Sequence, residues 1–176
     1  DPHLFKDMEK VCQRIYKAIK NKELITVYGD YDADGVSSAV ILRSVLKNLK
    51  ANVEVYLPHR EKEGYGLNKK AVEELAGKSK VVITCDCGIS NYEEVNIANE
   101  KGLDVIITDH HTVPEKLPKA LAIIHPQVKD EKYPFKFLAG GGVAFKLAQA
   151  LLSHVKNDLS AKEKELNEKW LLDMVA

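Results

Sequence analysis

The chain has 176 residues, a length that suits one domain with a hydrophobic core of ordinary size. Lysine plus arginine and aspartate plus glutamate both number 26, so the overall basic excess of many nucleic-acid-binding domains is absent and a polyanion must bind at a local patch. No apolar run approaches the length of a membrane span, and residues 1–10 lack the layout of a signal peptide, so we expect a cytoplasmic protein with no membrane partner.

Helices and strands are predicted to alternate along the chain. A first helix is expected over residues 4–21, where apolar residues recur at helical period. Short β-rich runs predict strands at 24–29, 53–57, 81–85, 104–108 and 120–124. Further helices are expected at 36–49, 69–77, 91–101, 142–156 and 161–175. Because valine- and isoleucine-rich runs separated by helices are typical of covered parallel sheets, we predict an α/β fold: a parallel five-stranded sheet in an αβα sandwich, with a helical C-terminal extension.

Three aspartates, Asp30, Asp32 and Asp34, directly follow the first strand. Together with Gly35 they match the first half of an EF-hand loop, but that loop needs a glutamate where Ile41 stands and a helix where the strand stands. A polar turn that caps the next helix explains one aspartate but not three. Three carboxylates this close repel one another unless a cation lies among them, so the segment indicates a divalent metal site.

Polar groups follow every predicted strand at its carboxyl end. Ligands in open α/β sheets bind outside the carboxyl ends of the strands, so we expect these groups to form one composite site. After the second to fifth strands, the groups are His59 with Arg60, Asp86, Asp109 with His110 and His111, and His125.

The types of ligand favour particular metals. Carboxylates with one or two imidazoles and no thiolate cluster suit Mn²⁺ or Mg²⁺. About four carboxylates suffice for two ions about 3.5–4 Å apart, an arrangement used in phosphoryl displacement. We expect His110 to bind metal and His111 to face the substrate as a donor or general acid. The cysteines complete neither a zinc site nor a disulfide framework and are predicted to be reduced packing residues: Cys12, Cys85 and Cys87.

Six segments resemble the motifs of the DHH phosphoesterase superfamily and, more narrowly, of its RecJ branch. The superfamily segments are GDYDADG (29–35), CDCG (85–88) and TDHH (108–111). The RecJ segments are EGYGLN (63–68), GISNYEEV (88–95) and LAGGGVAFKLAQALL (138–152). This branch comprises single-strand-specific 5′-to-3′ DNA exonucleases of DNA repair and recombination. The resemblance implies a parallel αβα DHH domain that holds two Mn²⁺ or Mg²⁺ ions, hydrolyses phosphodiesters and binds single-stranded DNA at its 5′ end.

The resemblance also implies roles for the aspartates after the first strand. The superfamily motif H-x-x-x-D-x-D places its metal-binding aspartates on Asp32 and Asp34. Its histidine position falls on Tyr28, so that ligand is absent and Asp30 is expected to support the site instead.

In the other motifs, Asp86 is implied as the ligand that bridges two metals, His110 as a metal ligand and His111 as the substrate-facing residue. Asp109 is implied to orient a neighbouring residue from outside the ligand set. Arg60 is a candidate for binding a substrate phosphate through its guanidinium, with a solvated loop arginine as the alternative.

The expected organisation is one DHH domain over residues 1–176, with a β/α core at about 22–127 and a helical extension at about 140–176. In RecJ-like proteins a further metal-binding aspartate follows the run that ends here at Ala176, and a second domain, DHHA1, grips the nucleic acid. We therefore expect a fragment that lacks both, and that binds its metals and hydrolyses substrate weakly by itself.

Two other functions are compatible with the sequence. One is a DHH phosphoesterase for short oligonucleotides, cyclic dinucleotides or pyrophosphate, and the other is a non-catalytic scaffold module. A scaffold has no need for the charged set of Asp32, Asp34, Asp86 and His110, which argues against loss of catalysis. The glycine run at 140–142 also has two interpretations: a phosphate cradle at a helix N-terminus, or close packing of that helix on the sheet.

Overall fold

The sheet consists of five parallel strands in a computed structural model that describes residues 1–154 and 159–175. The spatial order is β2-β1-β3-β4-β5, with bounds β1 Leu24–Gly29, β2 Asn52–Tyr56, β3 Val81–Cys85, β4 Asp104–Thr108 and β5 Ala122–Ile124. Gly29 pairs with Cys85, which in turn pairs with Thr108. The carboxyl ends of β1, β3 and β4 therefore lie level with one another.

Helices cover both faces of this sheet. A 3₁₀ helix, Pro2–Leu4, precedes α1 Met8–Lys20, α2 Ala33–Asn48, α3 Arg60–Glu63, α4 Lys69–Ala76, α5 Tyr92–Glu100, α6 Gly140–Ser153 and α7 Ala161–Val175. Successive strand residues point to opposite faces, so Val27 packs in the cluster under α1, α2 and α6, while Tyr28 packs in the cluster under α4 and α5. The strands β3 and β4 are almost entirely buried, as expected for a doubly covered parallel sheet.

The predicted fold class is confirmed: a parallel five-stranded sheet lies between helical layers, and two long helices follow it. The short helix α3 was not predicted, and β5 is shorter than the expected 120–124. Residues 155 and 156, the end of the predicted helix 142–156, lie outside the described residues. Among residues 1–154 and 159–175, no helix combines the length and apolar character needed to cross a bilayer.

The turn between β1 and α2 fixes the aspartate run at the carboxyl end of β1. A Cβ atom at Gly35 would lie 2.6 Å from the amide nitrogen of Asp30, so only glycine permits this close approach of the two backbones. The Asp32 carboxylate caps α2 by accepting a hydrogen bond from the Gly35 amide at 2.9 Å. Because of this cap the helix begins at Ala33, before the predicted residue 36.

Candidate metal centre

Asp86, His110 and His111 form a compact group beyond the ends of β3 and β4. One carboxylate or imidazole atom from each of them lies within 4.8 Å of the others. His110 Nε2 lies 2.9 Å from Asp86 Oδ1 and 3.6 Å from Asp34 Oδ2. It therefore contacts both the aspartate that follows β3 and one of the aspartates that follow β1. Groups that follow three of the five strands, β1, β3 and β4, thus come together at the carboxyl edge of the sheet.

Asp86 is held in an environment that opposes its ionisation. Its backbone lies in the left-handed region, with φ of 60°, and its amide donates to the Thr108 carbonyl at 3.0 Å. Its side chain is almost fully buried. Burial, and then the nearby charge of Asp34, raise the pKa of Asp86 to about 7 from the ordinary 3.8, although His111 opposes this rise. A buried carboxylate with these neighbours calls for a cation.

Helix α6 begins in contact with the carboxylates of Asp34 and Asp86. The amides of Gly140 and Gly141 donate to the two oxygens of Asp34, at 2.8 and 2.6 Å. A Cβ atom at Gly140 would lie 2.4 Å from Asp86 Oδ1, so a side chain at this position cannot coexist with the present site. The N-terminus of α6 thus binds the carboxylate of Asp34. In this structure the glycine run at 140–142 holds a side chain of the protein and does not form an open cradle for a phosphate.

The Asp109 carboxylate contacts three backbone amides and the imidazole ring of His111. Its Oδ1 accepts hydrogen bonds from the amides of His110 and His111 and lies 2.7 Å from His111 Nδ1, while its Oδ2 accepts from the Ile89 amide at 2.9 Å. Burial disfavours protonated His111, but the hydrogen bond and charge of Asp109 outweigh it and raise the pKa of His111 above 6.5. Asp109 therefore fixes the tautomer and orientation of the more exposed imidazole.

The other two predicted aspartates differ in their surroundings. Asp30 is 1% exposed, and burial raises its pKa, an effect that the nearby Tyr31 amide only partly offsets. Asp32 is exposed and caps α2 through one oxygen, while its charge still raises the pKa values of Asp30 and Asp86. Asp30 is therefore more deeply buried than Asp32. The family motif, in contrast, implies that Asp32 is a metal ligand and that Asp30 only supports the site.

Two further residues singled out from the sequence lie beside this cluster. Arg60 begins α3, with its guanidinium carbon 5.3 Å from the centre of the half-buried Tyr31 ring. Tyr28, at the position of the motif's histidine, points to the other face of the sheet and donates from its hydroxyl to the Gly66 carbonyl at 3.0 Å. Tyr28 therefore supports the loop around Gly66 and does not replace the missing ligand.

Tyr65 is a site residue for which the motifs predicted no role. Its hydroxyl lies 3.2 Å from His111 Nδ1 and 3.3 Å from Nε2, and it donates to the Asp86 carbonyl at 3.2 Å. Gly64 and Gly66 flank it at positive φ, so a tyrosine between two glycines was the available signal. A small cavity of about 280 Å³ lies beside Tyr65 and His111.

His125 acts through the backbone and not as a ligand. Its Nε2 lies 2.9 Å from the His111 carbonyl oxygen, and its Nδ1 accepts from the Gln127 amide at 3.0 Å. Because Nδ1 is an acceptor, Nε2 carries the proton and donates to His111. Burial lowers the pKa of His125, which keeps this neutral form.

The residues at this edge fit a divalent cation. Within the described part of the chain, both carboxylate oxygens of Asp30 and Oδ1 of Asp86 are buried and make no hydrogen bond of acceptable geometry. Buried carboxylate oxygens without hydrogen bonds are costly, and a metal ion held by Asp86, His110 and His111 would satisfy Oδ1 of Asp86. Oxygen and imidazole donors without thiolate suit Mn²⁺ or Mg²⁺. The three cysteines are free and buried, and none joins the cluster.

Fold and site together define an αβα domain with a cluster of carboxylates and imidazoles, suited to a divalent metal, at the carboxyl edge of its parallel sheet. The sequence matches the family described as DHH family, N-terminal domain, over residues 24–176. The chain therefore belongs to the DHH family, as its motifs predicted.

Similar proteins share most of this chain. The single-stranded-DNA-specific exonuclease RecJ of Bacillus subtilis is 48% identical over 160 residues, covering 90% of this chain and 20% of its own length. RecJ of Escherichia coli is 36% identical over 174 residues, covering 96% and 30%. The chain thus spans less than a third of these relatives.

Solved structures give the same similarity. A crystal structure of exonuclease RecJ bound to manganese superposes with a TM-score of 0.77 at 32% identity, covering 97% of this chain and 46% of the other. RecJ from Thermus thermophilus in complex with Mn²⁺ gives a TM-score of 0.72 at 33% identity, covering 84% and 21%.

Proposed function

We propose that this chain is the hydrolytic domain of a RecJ-type exonuclease, which degrades single-stranded DNA from the 5′ end with two Mn²⁺ or Mg²⁺ ions. The observation that carries the proposal is the compact group of Asp86, His110 and His111 at the ligand-binding edge of the sheet, in which the buried Oδ1 of Asp86 makes no hydrogen bond of acceptable geometry. Similarity to RecJ exonucleases, including two solved structures of RecJ with bound manganese, supports the choice of substrate and metal.

Asp30, Asp34, Asp86 and His110 would hold the ions, with Asp32 at the exposed rim of the site. The bound ions would polarise the phosphodiester and lower the pKa of a water molecule. The protein itself holds the ligands in place, because the first amides of α6 fix both oxygens of Asp34. This contribution of α6 to the β/α core is why we propose that residues 1–176 act as one domain.

His111 would act on the substrate. With Nδ1 hydrogen-bonded to Asp109, its Nε2, which lies 3.3 Å from the Tyr65 hydroxyl, would turn to donate to a phosphate oxygen or to protonate the leaving oxygen. The raised pKa of His111 favours the protonated imidazole, which stabilises the negative charge that develops on these oxygens. Arg60, beside Tyr31 at the start of α3, would bind a phosphate further along the strand.

The test compares substrates under the same Mn²⁺ conditions. Single-stranded DNA, labelled at either end, is incubated with the chain beside dinucleotides, cyclic dinucleotides and pyrophosphate. We expect slow shortening from the 5′ end and weak calorimetric Mn²⁺ binding by the chain alone, and we expect Asp86→Ala to abolish both. Preference for a small substrate would instead identify a small-molecule phosphoesterase. An active Asp86→Ala variant would contradict the metal scheme.

A further inference from the structure

Two phenylalanines are exposed in the segment between β5 and α6. Phe135 is 54% exposed and Phe137 is 81% exposed. Their rings meet edge to face, with centres 6.2 Å apart and planes at 78°. Neither ring belongs to the hydrophobic clusters on the two faces of the sheet. Their apolar surface therefore contributes little to folding and stays available to a ligand.

The backbone that carries these rings is held by polar contacts. The buried Glu131 carboxylate accepts hydrogen bonds from the amides of Lys132 at 2.7 Å and Tyr133 at 2.9 Å. The Tyr133 ring stacks on Phe5 with centres 4.0 Å apart. Lys136 Nζ donates to the Glu131 carbonyl at 2.9 Å. The exposure of the two rings is thus a property of an anchored segment.

The same segment is tied to the metal centre on one side through His125. Gln127 donates from its side-chain amide to the Lys136 carbonyl at 2.8 Å and from its backbone amide to His125. His125 in turn donates to the His111 carbonyl. A continuous series of hydrogen bonds therefore joins the backbone between the two phenylalanines to the substrate-facing histidine.

On the other side the segment leads directly into α6. Phe137 stands three residues before Gly140, whose amide donates to Asp34 at 2.8 Å. Three residues span at most about 10 Å, so the backbone of Phe137 lies no further than that from Gly140 at the edge of the carboxylate cluster. A short single strand can cover this distance.

The charge of the segment suits a phosphate backbone. Lys129, Lys132 and Lys136 lie within eight residues of one another. Of the two acidic residues among them, Glu131 is buried and accepts backbone hydrogen bonds, which leaves Asp130 as the exposed carboxylate. Aromatic rings beside cations are the features by which proteins hold single-stranded nucleic acids without reading their sequence.

We propose that Phe135 and Phe137 form a stacking platform for bases of a single strand whose phosphate occupies the Asp86–His110–His111 centre. This proposal rests on the proposed function and adds a base-binding subsite to it. The platform explains why two rings remain exposed on an anchored segment beside the centre, and why lysines accompany them.

The test uses two strands of equal length, oligothymidylate of about 12 nucleotides and the same strand without bases, since only the first can stack. Binding is measured by fluorescence anisotropy in EDTA, which prevents cutting. We expect Phe137→Ala to weaken oligothymidylate binding about tenfold, because the variant loses one base–aromatic stack. Binding of the base-free strand should not change.

Matched variants at the same position separate stacking from apolar contact. Phe137→Leu keeps an apolar side chain without an aromatic face and should behave like Phe137→Ala, whereas Phe137→Tyr should restore binding. Equal weakening on both strands, or unchanged binding of oligothymidylate by Phe137→Ala and by Phe135→Ala, would overturn the platform while leaving Mn²⁺-dependent hydrolysis by the unaltered chain intact. Failure of the unaltered chain to bind or cut either strand would refute the proposed function, and the platform with it.

Discussion

Replacing Asp86 by asparagine should stabilise the metal-free protein at high pH. The pKa of Asp86 is about 7 in the folded protein against 3.8 ordinarily, so the folded state binds more protons than the unfolded chain in this range. The free energy of unfolding therefore falls as the pH rises through the window from 3.8 to about 7. The metal-free protein is therefore less stable when Asp86 is ionised.

The size of the effect follows from proton linkage. One pKa unit is worth about 1.36 kcal/mol, so ionised Asp86 costs the folded state about 4 kcal/mol at pH 8 and less than half of that at pH 5. Asp86→Asn removes this cost because the amide stays neutral. We expect the variant to exceed the unaltered chain in unfolding free energy by about 4 kcal/mol at pH 8, and by about 1 to 2 kcal/mol at pH 5.

The assay is urea unfolding in EDTA at both pH values. Asp130→Asn is the matched control, since it removes an exposed carboxylate outside the metal centre by the same substitution and should not stabilise the protein at pH 8. An Asp86→Asn variant no more stable than the unaltered chain at pH 8, or a difference independent of pH, would refute the electrostatic account of this site.

Three further perturbations act on the same centre. Excess Mn²⁺ should raise the melting temperature in differential scanning fluorimetry, by a stabilisation of about 2.7 kcal/mol at a hundredfold excess over Kd. The rise should be larger at pH 8 than at pH 6, because protons compete with the metal for its ligands. Absence of any rise would count against a metal centre. Gly140→Ala should abolish calorimetric Mn²⁺ binding because its Cβ would overlap Asp86, whereas Gly142→Ala, whose Cβ meets only a leucine side chain, should retain it; equal behaviour of the two would remove α6 from the site. Tyr65→Phe should lower kcat about tenfold at unchanged KM and alter the pH–rate profile, because the hydroxyl that contacts His111 is lost; a change confined to KM would mean that it contacts substrate instead.

The strands, the parallel sheet and the edge at which the carboxylates and imidazoles meet could be predicted because they depend on local patterns. Buried parallel strands such as β3 and β4 are continuous apolar runs, and polar residues at their ends necessarily meet at one edge of the sheet. The resemblance to the DHH family rested on the same short motifs, and the match over residues 24–176 confirms it.

The sequence alone could not rank the aspartates. Asp30 and Asp32 differ by two positions, and only the turn around Gly35 decides that Asp30 is buried with unpaired oxygens while Asp32 caps a helix. The contact between α6 and Asp34 joins residues more than one hundred positions apart, and no local pattern encodes such a distance.

The types of donor atom in the centre could therefore be read from the sequence, whereas the pKa values and contacts of these groups depend on the tertiary structure. Residue types at strand ends specify oxygen and imidazole donors, because ligand preference is a property of the side chain itself. The pKa of Asp86, the tautomer of His111 and the contacts of Tyr65 depend on burial and on neighbours from other elements. These arise only when β3, β4 and α6 come together, since desolvation and charge interactions depend on distances in space.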